Sequence, residues 1–185
     1  MRNIPAFQFR LERQTKENPV NTLLLLNRDL LQQLWELLGQ LSEADYRKPH
    51  AASFEASIGD HIRHTLEHYQ CFLEGLPDGK INYDHRRREN HLASDPVYAQ
   101  RQIKRIDRAL AELNGKNDRP LQIFSGEMGD APAASSCSRE LAFLLSHTVH
   151  HCALIRSHGQ SLNLTLSDTF GMAPSTLTHL ENKGT

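Results

Sequence analysis

The sequence predicts an all-α protein built as a four-helix bundle with a short irregular C-terminal tail. Four long stretches repeat apolar residues at helical spacing, capping or breaking residues bound them, and the connections hold only one brief alternating run. At 185 residues the chain is long enough to bury a core and shows no self-similarity at solenoid periods. It reads as one domain over 1–185, with the bundle core at about 21–159.

The first helix opens at Asn21 with Thr22-Leu23-Leu24-Leu25-Leu26 and continues its apolar face through Leu30, Leu31, Leu34, Leu37, Leu38 and Leu41. A Pro-bearing connection, Tyr46 to Ala52, leads to Ser53 and Ser57, hydroxyls suited to capping. The second helix follows, with Ile58, Ile62, Leu66, Phe72 and Leu73 apolar before Gly75-Leu76-Pro77 stops it. Asp78 to Leu92 holds Gly79, Asn82, Asp84 and the run Arg86-Arg87-Arg88, and is expected to be a solvated loop rather than an element. Asp95-Pro96 starts the third helix, whose face of Tyr98, Ile103, Ile106, Leu110 and Leu113 runs up to Asn114-Gly115. Asp118 to Phe124 alternates briefly, enough for a short extended segment but not for a sheet. Ser135 and Ser136 offer caps to the fourth helix, Glu140 sits near its N3 position, and Gly159 after His158 is its expected C′ residue. Gln160 to Thr185 forms the tail, with one short helix from Pro174 towards Leu180.

Composition narrows the function. Acids and bases leave a formal charge of -1, which argues against a nucleic-acid groove or an anionic membrane surface and in favour of a small-molecule partner. Met1 to Val20 is polar and lacks an apolar signal core, and no window approaches the ~20 apolar residues of a membrane span, so a cytoplasmic location is expected. Cys71, Cys137 and Cys152 form no C-x-x-C pair and fit reduced thiols. The anomaly is eleven histidines.

Two of them, His147 and His151, stand four residues apart in Ser146-His147-Thr148-Val149-His150-His151 and therefore lie above one another on one helix face. Their stripe, Glu140, Leu144, His147, His151, Leu154 and His158 with Phe143 and Ile155 beside it, places imidazoles where a buried face calls for Leu or Ile. That is the spacing of a metal clip. A firmly held ion wants a third protein ligand, and Gly59-Asp60-His61-Ile62-Arg63-His64-Thr65-Leu66-Glu67-His68 on the second helix offers three imidazoles within one sector. Spacing does not choose among His61, His64 and His68. Three neutral imidazoles leave coordination positions open, as reactive sites do; zinc suits them, and nickel or iron are also accepted by such donors.

Blander readings compete. A single histidine on an apolar face is more often a hydrogen-bonded core residue, and H-x-x-x-H pairs arise by chance in a His-rich helical chain. Ferritin-like di-iron sites need Glu-x-x-His, yet Phe143 follows Glu140 and Gln70 follows Glu67 at that spacing. The zincin signature His-Glu-x-x-His is also missing. A hemerythrin-like site needs inward bridging carboxylates, for which only Glu140, Asp60 and Glu67 are available. Arg86-Arg87-Arg88 is expected to be a solvated patch, with an anion clamp as its functional alternative.

The segment Ser57-Ile58-Gly59-Asp60-His61-Ile62-Arg63-His64, followed by His147-x-x-x-His151 on the last long helix, resembles the DinB/YfiT-like superfamily of metal-binding helical bundles. The resemblance spans Asn21 to Gly159. It implies an up-down-down-up order with a long crossover and a ligand triad of His64, His147 and His151. It also implies relatives that are thiol-dependent S-transferases acting with low-molecular-weight thiols, or domains fused to sulfoxide synthases in thiohistidine biosynthesis. The chemistry expected from such a site is metal-assisted activation of water or of a low-molecular-weight thiol, by a hydrolase or S-transferase type of enzyme. Glu140, Glu67 and His68 are the catalytic candidates, for orientation of the ligands or proton transfer. The Asp84 and Arg88 loop and Phe170-Gly171-Met172 are expected to close over the open end. Two alternatives stand beside this reading: a non-catalytic metal- or ligand-binding bundle, and a bundle whose site has decayed. A homodimer through a bundle face is compatible with the sequence, which offers no heptad seam long enough to argue for one.

Overall fold

In a computed structural model, residues 18–50, 55–126 and 131–183 are described. The expected reading of the N-terminal segment and the cap at Ser53 lie outside them. The protein is mostly helical with one small sheet. Its elements are α1 (Pro19–Leu38), α2 (Glu43–Arg47), α3 (Ile58–Gly75), β1 (Lys80–Asn82), a 3₁₀ turn at Tyr83–His85, α4 (Asn90–Ser94), α5 (Pro96–Ala111), β2 (Pro120–Phe124), β3 (Ala133–Ser136), α6 (Cys137–Ser161) and α7 (Pro174–Lys183). No described helix is long and apolar enough to cross a membrane.

Each long helix begins at a capping residue, although α1 starts at Pro19, ahead of the expected Asn21, and ends at Leu38, short of Leu41. Asn18 caps α1 by accepting from the Val20 amide at 2.9 Å, ahead of Pro19 at the first turn. Asp95 does the same for α5 before Pro96, accepting from Tyr98 N, and Ser136 caps α6 by accepting from Arg139 N. Their apolar faces meet in one core that includes Leu31, Leu34, Ile62, Leu66, Phe72, Ile103, Leu110, Leu144 and Ile155. Helix α1 packs against α5 and α6, and α3 packs against α5 and α6 in turn. Contacts between Arg28 and Asp107 (2.7 Å) and between Gln100 and the Trp35 carbonyl (2.9 Å) run α1 antiparallel to α5.

A buried polar cluster ties three of these helices together. The Asn27 amide donates to the carbonyls of Leu23 and Leu141, at 2.8 and 3.0 Å. The Tyr69 hydroxyl donates to Asn27 Oδ1 at 2.7 Å and lies 3.0 Å from Thr148 Oγ1, which reaches the Leu144 carbonyl. Every member has a partner, as a polar group placed in an apolar core requires. Burial pushes the Tyr69 phenol well above its ordinary value.

Three expectations need correcting. The alternating run at 118–124 does enter a sheet: β2 pairs in parallel with β1 (Lys80 with Gln122) and antiparallel with β3 (Pro120 with Ser136). Its partners are three- and four-residue strands from distant connections, too short to show a period of two by themselves. For the same reason the stretch 78–92 is not simply a loop, since it holds β1, the 3₁₀ turn and the start of α4, and Ile81 within it is buried. Finally, Gly159 does not end the last helix, which continues to Ser161. A Cβ at Gly159 would stand 3.1 Å from Leu166 Cδ1, so the missing side chain admits the returning tail. The connection after α1 also winds into the single turn of α2, capped by Ser42. The tail helix α7 runs from Pro174 to Lys183, slightly past the expected Leu180.

Removing the Tyr69 hydroxyl leaves Asn27 Oδ1 buried without a donor. Tyr69→Phe is expected to destabilise the protein by about 1–3 kcal/mol, read as a lower urea midpoint with unchanged helical circular dichroism; an unchanged midpoint would show that the cluster contributes nothing.

Candidate metal centre

The histidines of α3 owe their axial position to the start of that helix. Ser57 Oγ accepts from the Asp60 amide at 3.0 Å while the Asp60 carboxylate accepts from the Ser57 amide and hydroxyl at 3.0 and 2.7 Å, which completes a capping box. Partial burial works against the Asp60 carboxylate, yet these hydrogen bonds from Ser57 hold it below the usual range. Next to the cap, Gly59 lets α4 approach: a Cβ there would lie 2.1 Å from the Ala93 carbonyl oxygen and 3.0 Å from Tyr46 Cε1. Tyr46 locks the same corner by donating to the Leu92 carbonyl at 2.6 Å. The glycine of the Ser-Ile-Gly segment is therefore a packing requirement of the helix that carries His61, His64 and His68.

Helices α3 and α6 run antiparallel, so His64 faces His147 and His61 faces His151. His64 Nε2 lies 3.1 Å from His147 Nε2. One nitrogen from each of His64, His147 and His151 falls within 4.8 Å of the others, and all three side chains are half-buried. The rings stand 4.6 to 4.9 Å apart, centre to centre. Nitrogens sharing one tetrahedral zinc at ~2.0–2.1 Å stand about 3.3 Å apart, so the closest pair already has the spacing that such an ion needs.

Electrostatics give these nitrogens the protonation state of ligands. Burial, followed by the neighbouring imidazoles, lowers His64 to about 4, His151 to about 3 and His147 to about 2. Each is neutral at physiological pH and keeps a lone pair. Among the described residues, the buried Nδ1 of His147 has no hydrogen-bond partner. Three neutral, closely set imidazole donors on rigid helices fit a divalent cation of the zinc type, with nickel or iron also matched by the donor set.

The catalytic candidates lie around the triad in different ways. His68 Nδ1 donates to the His64 carbonyl at 2.7 Å and its Nε2 lies 3.5 Å from an Arg86 nitrogen, while its ring stands 4.1 Å from that of His147. It forms a wall of the site and turns its nitrogens elsewhere. Glu140 is fully buried, accepting from Tyr83 (2.8 Å) and Ser135 (2.5 Å) and pairing with Arg139 (3.0 Å). It lies one position beyond N3, and Ser135 serves it rather than the helix cap. Glu67, also buried, accepts from the Glu89 amide at 2.6 Å and faces Arg86 at 4.0 Å. Both carboxylates brace the connection that follows α3.

Tyr83 was not singled out by the sequence. Held by Glu140, its ring lies 5.5 Å from His68 and 5.1 Å from Phe143, and Phe143 in turn stands 5.6 Å from His147. It sits in the segment read as a loop, where no periodicity marks an inward position. His158 is buried and its ring stacks on His50 at 4.5 Å, His150 is exposed, and burial raises the Cys152 thiol to about 12, leaving it an inert core residue. Arg87 pairs with Glu74 on the surface. The tail is tied down by Arg156, which donates to the carbonyls of Ser167, Asp168 and Phe170, and by the Gly171 amide, which donates to Gln33. A cavity of about 320 Å³, bordered by Val20, Leu73, Leu76, Leu113 and Cys137, lies at the other end of the helices and touches none of the triad.

Residues 26–155 match the sequence profile of the DinB superfamily. The chain is also similar to a protein of Rhizopus delemar named FK506-binding protein 5, with 33% identity over 136 residues, which is 67% of this chain and 35% of that protein. It thus spans about a third of that relative's length. No solved structure matches.

The depressed imidazoles make the metal-free protein sensitive to acid. Unfolded histidines titrate near ~6.5, so below that pH the unfolded chain holds more protons than the folded one and stability falls as pH drops towards the folded values of about 4 and lower. The contribution is intact above the unfolded value. His147→Leu is expected to flatten this slope and raise the urea midpoint at pH 5 more than at pH 7.5; equal shifts at both would contradict neutral burial of His147.

Proposed function

Because this chain belongs to the DinB superfamily, we propose that it holds a divalent metal on His64, His147 and His151 and acts as a metal-dependent enzyme. The observation that carries the reading is the 3.1 Å approach of His64 Nε2 to His147 Nε2 across two helices, with His151 completing the set. Zinc is the first choice, with nickel and iron as alternatives. When bound, the ion supplies Lewis acidity that brings ionisation of water or a thiol towards neutral pH. The substrate is a small molecule, either hydrolysed or joined to a low-molecular-weight thiol.

The residues around the triad divide the remaining work. Half-burial of the ligands leaves an approach for a substrate, and His68, Phe143 and Tyr83 form an aromatic wall that narrows it and holds water back. Of the catalytic candidates His68 comes nearest to the triad, and with its nitrogens engaged by the His64 carbonyl and Arg86 it serves to position the His147 ring rather than to carry protons. Glu140 acts at one remove, positioning Tyr83, while Glu67 steadies Arg86 and the Glu89 amide. We also read the chain as one cytoplasmic domain with an up-down-down-up helix order, supported by the antiparallel contacts of α1 with α5 and of α3 with α6.

One observation favours a second reading, a non-catalytic metal-binding module: both carboxylates among the candidates for ligand orientation or proton transfer are engaged by other groups. The two readings differ in coordination. A catalytic ion keeps an exchangeable position and its removal leaves the protein folded, whereas loss of a structural ion unfolds it.

Elemental analysis of protein purified without a His tag is expected to give one equivalent of metal, lost in His64→Ala, His147→Ala and His151→Ala alike. Wild-type protein that carries no metal and takes up none when it is added would refute the assignment. Retention of fold after chelation, with thiol- or water-dependent turnover that disappears with the metal, would separate enzyme from module.

A further inference from the structure

The contact between His61 and His151 has no role in the triad. His61 Nδ1 lies 3.2 Å from His151 Nδ1, and His61 is itself buried, at 7% exposure. Its Nε2 is buried as well and has no hydrogen-bond partner among the described residues. Two imidazole nitrogens at that distance attract only when one carries the hydrogen and the other the lone pair. A neutral imidazole has one N–H, so the hydrogen bond chooses the tautomer of both rings.

Resting on the metal reading above, we propose that His61 is a positioning residue that accepts a hydrogen bond from His151 Nδ1–H and thereby presents His151 Nε2 to the ion. A ligating nitrogen must keep its lone pair, which leaves His151 its hydrogen on the other nitrogen, the one that faces His61. His61 then accepts at Nδ1 and carries its own hydrogen at Nε2, the atom without a partner among the described residues. Orientation of His151 is the function that accounts for a histidine buried at this place. His147 differs, since its Nδ1 has no partner among the described residues. His151 is thus the ligand whose ring is fixed from behind. The sequence offers no hint of this, because His61 lies one turn before His64 and looks like a rival ligand.

The test measures zinc affinity by competition with a chromophoric chelator, for wild type and two variants at position 61. His61→Leu fills the same space and removes the acceptor; it is expected to weaken zinc binding by ~10–100-fold. His61→Asn restores an acceptor near the position of Nδ1 and is expected to recover most of that loss. In the zinc-loaded wild type, long-range proton–nitrogen correlation spectra are expected to show His151 protonated at Nδ1 and His61 at Nε2, with three imidazoles on the metal by X-ray absorption. Unchanged affinity in His61→Leu, or a fourth imidazole on the ion in wild type, overturns the role of His61 while leaving the triad in place. A wild type that binds no zinc overturns the triad itself, and this inference with it.

Discussion

The register of α3 against α6 is the constraint on which the site depends. A slide of one residue is 1.5 Å and a turn of 100°, enough to part His64 from His147 and His61 from His151. Three fixtures prevent it. The Ser57–Asp60 capping box and the close approach of Gly59 to Ala93 hold the start of α3. The Asn27–Tyr69–Thr148 cluster pins its middle to both α1 and α6. Strand β3 runs directly into α6 while β1 follows α3, so the small sheet links the far ends of the same two helices. A sheet of this size adds little apolar burial. Its value is that it closes the two connections onto one another.

That rigidity sustains an arrangement which the folded protein would otherwise relax. Half-buried imidazoles crowd one another and give up their protons, and the Nδ1 of His147, without a partner among the described residues, adds to the cost. A hydrophobic core would be more stable with Leu at these positions. Gathered lone pairs suit a cation, so a polar cluster that works against stability in the bare protein would become a source of stability on binding one. The carboxylates follow the same logic. Glu140 and Glu67 are drawn away from the imidazoles by Tyr83, Ser135, Arg139 and Arg86. Their buried charge instead holds the connection after α3 against the aromatic wall.

Much of this was written in local sequence. The four long helices and their caps are short-range phenomena, set by a period of 3.6 and by side chains that reach their own backbone. Asn18, Ser57, Asp95 and Ser136 each serve the amides just ahead of them. The pairing of His147 with His151 is equally local, because one helix places both on one face. Which imidazole of α3 would meet them was not local. His61, His64 and His68 occupy one sector of that helix, and only the packed register assigns His64 to the triad, His61 to the back of His151 and His68 to its own helix backbone. The sheet, the inward turn of Tyr83 and the diversion of Glu140 were hidden for the same reason: each joins residues far apart in the chain. The sequence by itself determined the helices and the donor types, since these follow from neighbours along the backbone. Tertiary structure alone decided which donors converge, since that depends on where two helices stop sliding past one another.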